Sequence, residues 1–178
     1  ITKVHLFGEK STFLGANAGG VQRDIILDAT LGRLYRLIKN ASPRAEILES
    51  WSSTENGKVF YLRIKSDLKF NNGRSVLASD LEFSLLAGAY SKFSVPETTQ
   101  AHQIEGANEI IPGAKFESGK CRGITLVNTH ELRISLRNSD PGFLDTLASN
   151  PTYSPIPREE LLPLGSSLLT ASKSSGSH

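Results

Sequence analysis

The stretch from residue 47 to Ile64 leaves this chain few folds to choose from. Two alternating runs, residues 47–53 and Val59–Ile64, flank Thr54-Glu55-Asn56-Gly57. Asn-Gly is a strong hairpin signal because both residues accept a positive φ. In the second run Phe60, Leu62 and Ile64 share one side, and Val59, Tyr61 and Arg63 the other. That is the period of a strand with one face toward a core. Strands joined by so short a turn pair antiparallel. A second hairpin repeats the pattern, with Gly123–Val127 and Glu131–Leu136 joined around Asn128-Thr129-His130. A short third strand carries Leu68 and Phe70 and stops at Asn72-Gly73.

Helical periods lie between these strands. Ile26, Leu27, Leu31, Leu34, Leu37 and Ile38 predict a helix over 25–39, with Asp24 as its N-cap. A helix from Ser79 to Tyr90 is expected, with Ser79 and Glu82 as a capping box and Leu81, Leu85 and Ala89 as its apolar stripe. Residues 91–103 read as a polar loop and residues 104–112 as a short helix. Asp140-Pro141 opens a further helix, Asp as N-cap, with Phe143, Leu144, Leu147 and Ala148 on its apolar side. At the start, Thr2–Phe7 alternates like a strand, and residues 8–24 form a long Gly-rich loop. A short helix over Glu159–Leu162 and a flexible Ser-rich tail are expected at the end. The fold class is α+β, a mixed, mainly antiparallel sheet with helices.

Composition excludes several classes. The 178 residues carry a net charge of +2, with Lys and Arg scattered among the acids, which argues against a nucleic-acid binder. No window approaches the roughly 18 consecutive apolar residues of a membrane span. The four histidines (His5, His102, His130 and His178) show no metal-ligand spacing, and Cys121 is the single cysteine. No phosphate-binding loop and no G-x-S-x-G elbow is present. The reading is of a protein that is not an enzyme and needs no cofactor or metal. Met is absent and residue 1 is Ile, so a processed or trimmed chain is expected.

Four linked blocks then point further. They are Leu48-Glu49-Ser50-Trp51, Asn56–Arg63, Leu68–Gly73 and Ala78–Leu85. In order and spacing they resemble the family 5 extracellular solute-binding proteins, the oligopeptide-, dipeptide- and nickel-binding components of ABC importers. Ile104–Glu109 with Gly113, the second hairpin, Asp140–Leu144 and Ser154–Pro157 continue the likeness, over about residues 30–160. Departures are Leu77, where the family has a helix-capping Thr, and Asn71-Asn72, where it has His-Asp. Ser79 is expected to cap in place of Leu77 and shift the helix start.

The resemblance implies the N-terminal part of a two-lobed, class II type periplasmic-binding-protein fold whose lobes close over solute. Residues 1–46 would begin the N-terminal lobe, 47–157 would be an inserted α+β subdomain, and 158–178 a short helix and tail. It implies import of a solute of the peptide class from outside the cytoplasm, with the permease subunits of an ABC transporter as partners. Membrane contact would come only through a lipid anchor upstream of residue 1. Candidate solute-facing residues are Gln22, Arg23 and Asp24 in the first loop, with Tyr90 and Phe93 after the capped helix. Alternatives are a sensing domain of a transcription regulator, and a structural fragment without ligand. With much of the clamp beyond the chain, weak or no solute binding by this piece alone is expected.

Overall fold

A computed structural model describes residues 32–70, 72–90 and 96–157, with the side chains of 96–99 and of Pro151 left aside. The strand and loop expected over residues 1–24, the Asp24 cap, the first half of the 25–39 helix and everything from 158 onward lie outside these residues.

The two hairpins form as the alternation requires. Strands β3 (Leu48–Thr54) and β4 (Val59–Ile64) pair antiparallel, from Thr54 opposite Val59 to Leu48 opposite Ile64. Strands β5 (Ile124–Asn128) and β6 (Glu131–Ser135) pair likewise. Strand β4 also lies against β6, Phe60 opposite Ile134 and Leu62 opposite Leu132, so the four-stranded sheet has the order β3-β4-β6-β5. The first turn uses positive φ at Glu55, Asn56 and Gly57. The short third strand is reduced to one bridge, Lys69 opposite Ser75, closed by the Phe70 carbonyl accepting the Gly73 N–H.

One face of the sheet carries the core. Phe60, Leu62 and Ile64 of β4, Leu132 and Ile134 of β6, and Ile124 of β5 are all buried. They share one apolar cluster with Leu81, Leu85 and Leu86 of helix α1 (Ala78–Tyr90) and Phe143, Leu144 and Leu147 of helix α2 (Phe143–Ser149). The Phe60 and Phe143 rings meet at 5.5 Å. Burying each large side chain of this kind contributes about 1.5–3 kcal/mol. On the opposite face Tyr61 is exposed, as the period of two demands, while Val59 at the start of β4 is buried in spite of that period.

Several local expectations are corrected. Residues 32–39 are not helical. Tyr35–Arg36 is a short strand, β1, paired antiparallel with β2 (Arg44–Ala45). The carbonyls of Arg33 and Leu34 accept the Ile47 N–H, and that of Leu34 also the Leu48 N–H, so this backbone extends the β3 edge. Gly32 at φ 70° and Asn40 at φ 60° interrupt any helical run. Leu34 is buried while Leu37 and Ile38 are exposed, so the helical stripe never faces the core as one. Tertiary pairing overrides the apolar period here.

Helix α1 starts at Ala78, ahead of Ser79, and the Ser79–Glu82 capping box does not form. Asp80 instead reaches back and accepts the Leu77 N–H at 2.9 Å. Glu82 turns away to Ser118 and Gly119. For α2 the N-cap residue is Gly142, two residues beyond Asp140. Asp140 still shapes the entry, its carboxylate accepting the Gly142 N–H at 2.9 Å and its carbonyl the Phe143 N–H at 3.1 Å. Within 104–112 only Ala107–Glu109 makes a short 3-10 turn, and Pro96–Gln103 is 3-10 helix where a loop was expected.

Candidate functional site

Of the five candidate solute-facing residues, Tyr90 alone falls in the described structure. Gln22, Arg23, Asp24 and Phe93 lie outside it. Tyr90 is the last residue of α1, and its carbonyl accepts the Gly113 N–H at 2.8 Å. Its ring meets Phe116 edge-on at 5.3 Å, and Phe116 in turn meets Phe83 at 5.0 Å. Most of the ring therefore packs. Burial raises the Tyr90 pKa, and a hydrogen bond from the Glu117 backbone N–H opposes that. The raised value keeps the phenol neutral at ordinary pH, able to donate as well as accept.

The free edge of Tyr90 borders an open groove of about 340 Å³, with Ile110, Ile111 and Ala114 as apolar lining. Ile111 is 73 % exposed, more than any other large apolar residue described. Lys115, Glu117, Lys120, Glu109 and Arg122 complete the rim. Arg122 is held by Glu109 at 2.8 Å and Glu105 at 3.4 Å, and Lys120 lies 3.5 Å from Glu117. These pairs are exposed and hold shape more than they add stability. The rim carries charges of both signs and no nucleophile paired with a base. Among the described residues no three His, Cys, Asp or Glu side chains come together as metal ligands.

Two clusters were not singled out from sequence. Arg74 places two guanidinium nitrogens on the Asp80 carboxylate, at 2.8 and 2.9 Å, and lies 4.7 Å over the Phe70 ring. Asp80 is fully buried. Its place at the third position of α1 was the available signal. Tyr35 stacks on Trp51 at 4.3 Å with planes 6° apart, and its hydroxyl donates to Asp145. Nothing local foretells that pairing, because Asp145 lies 110 residues away. Both clusters are scaffold, and neither opens to the groove.

No family model matches the chain. Against characterised proteins it is 28 % identical over 127 residues to the dipeptide-binding protein DppE of Bacillus subtilis, covering 69 % of this chain and 22 % of that protein. It is 26 % identical over 125 residues to the periplasmic oligopeptide-binding protein OppA of Escherichia coli, with the same coverage. Among solved structures, the substrate-binding domain of an oligopeptide ABC transporter from Bacillus anthracis superposes with a TM-score of 0.62 at 27 % identity, covering 76 % of this chain and 26 % of that one. The OppA of Burkholderia pseudomallei gives 0.69 at 18 %, over 90 % and 31 %, a likeness of fold alone. The chain thus spans about a fifth of the length of the characterised relatives it matches.

Proposed function

We propose that this chain, a partial-length relative of the family 5 extracellular solute-binding proteins, is part of a protein that captures a peptide or similar solute for import. The carrying observation is that sequence and fold comparisons lead to the same kind of relative. The sequence match to a dipeptide-binding protein and the superposition on an oligopeptide transporter's binding domain each cover more than two thirds of this chain. The relatives are binding proteins.

The whole protein works outside the cytoplasm, with a lipid anchor upstream of residue 1 as its membrane attachment and ABC permease subunits as its partners. Peptide contacts come from Gln22, Arg23 and Asp24, from Tyr90 and Phe93, and largely from a lobe beyond this chain. Residues 47–157 serve as the inserted subdomain. Residues 32–46 pack with that subdomain, since Leu34 and Tyr35 share its apolar cluster and its C-terminal end closes on Gly32. The Ser154 hydroxyl donates to the Gly32 carbonyl at 2.5 Å, and the Ile156 N–H to the Ser84 hydroxyl at 3.1 Å.

Calorimetric titration of the full-length protein with short peptides tests the reading. Binding at micromolar Kd or tighter is expected, with little or none by the 178-residue chain alone. A full-length protein that ignores peptides of two to nine residues overturns it.

A further inference from the structure

We infer that residues 110–122 form a strap that opens as a unit from α1 while the sheet stays folded, with Glu82 as its latch. Within the strap, residues 111–115 and 117–120 are exposed, and its buried anchors are Phe116 and Cys121. Segments with few buried contacts and exposed backbone open at lower free energy than the core around them.

The anchors all sit on or beside α1. The Phe116 ring rests edge-on between Phe83 and Tyr90. The Gly113 N–H closes on the Tyr90 carbonyl. Glu82, fully buried, accepts the Ser118 hydroxyl and, at 2.7 Å, the Gly119 N–H. Among the described residues Glu82 has no cationic partner, so these two donors hold a buried carboxylate that would otherwise be left bare. That makes docking of the strap all-or-none, because partial lifting strands the carboxylate. The strap also supplies Ile111, Ala114, Lys115, Glu117 and Lys120 to the groove, so opening it dismantles the groove.

Cys121 reports the motion. It is buried at the strap's end, its thiol 3.4 Å from the Glu105 carbonyl, and it is the protein's single cysteine. In the intact chain, the rate of Cys121 reaction with a small aromatic disulfide reagent is expected to be insensitive to denaturant below the unfolding transition. Ser118→Ala should raise that rate about tenfold, the scale of one hydrogen bond to a charged group. Leu144→Ala, in α2 beneath the sheet, should lower global stability and leave the rate unchanged. A wild-type rate that tracks global unfolding at every denaturant concentration overturns the strap. A rate untouched by Ser118→Ala overturns Glu82 as its latch.

Discussion

Arg74 and Asp80 meet two-on-two, guanidinium nitrogens to both carboxylate oxygens, and the same Asp80 oxygen that takes one of them also takes the Leu77 N–H. Leu77 stands just ahead of α1 and has no side-chain acceptor of its own. The carboxylate three residues later does the capping, and Arg74 neutralises the charge this buries.

Asp80→Asn should therefore cost roughly 3 kcal/mol, since it breaks a two-bond charge pair whose carboxylate is fully buried. Adding Leu77→Thr to that variant should recover about 1 kcal/mol through a side-chain cap. Urea unfolding of the single and double variants measures both. A double variant no better than Asp80→Asn would refute the capping role.

Gly57 and Gly73 share a positive φ, 82° and 84°, but differ in surroundings. A Cβ on Gly57 would lie 2.5 Å from the Pro141 nitrogen, whereas one on Gly73 meets nothing within 4 Å. Gly73→Ala should cost about 1–2 kcal/mol from backbone conformation alone. Gly57→Ala should cost about 1–3 kcal/mol more, because backbone must shift. Equal losses in thermal unfolding would deny the close approach.

Tyr35 supplies a pH dependence. Burial, then its bond to Asp145 and that residue's charge, push its pKa well above the ordinary 10. Burial moves Tyr90 and Cys121 upward too. A group whose folded pKa is raised adds stability that is whole below its unfolded pKa and is lost as pH climbs past it. Stability should hold to about pH 9 and then fall, by up to about 1.4 kcal/mol per pH unit from Tyr35 above pH 10. Tyr35→Phe should flatten that alkaline slope while lowering stability at pH 7. Urea midpoints from pH 7 to 11 decide it.

Residues 32–157 enclose their own apolar cluster, and their ends are joined by the Ser154–Gly32 bond. A chain cut to 32–157 should fold cooperatively, with one unfolding transition by far-UV and near-UV circular dichroism alike. Non-coincident transitions would show that the body depends on the segments removed.

The sheet was legible because its information is local. Alternation assigns faces, and Asn-Gly assigns the first turn, so β3 through β6 and most of α1 follow from neighbours within a few residues. Where distant partners decide, the reading failed. Leu34 matches a helical period and Tyr35 falls inside the expected helix, yet their backbone pairs with residues 45–48 and Tyr35 is fastened by Trp51 and Asp145. Ser79 and Glu82 fit a capping box in spacing, but Glu82 is taken by Ser118, 36 residues on. The candidate solute-facing residues were least legible, because no local pattern marks them, and of the five only Tyr90 falls among the described residues.

The turn at Gly57 has a kinetic side. Its carbonyl accepts the Asp140 N–H, and the Lys58 carbonyl accepts the Leu136 N–H. The first hairpin is thus completed by chain made some eighty residues later. During synthesis β3 and β4 emerge early, but their turn stays half-bonded until β6 and the entry to α2 arrive. Closing that long loop raises contact order, and folding should be slower than a hairpin-first picture suggests.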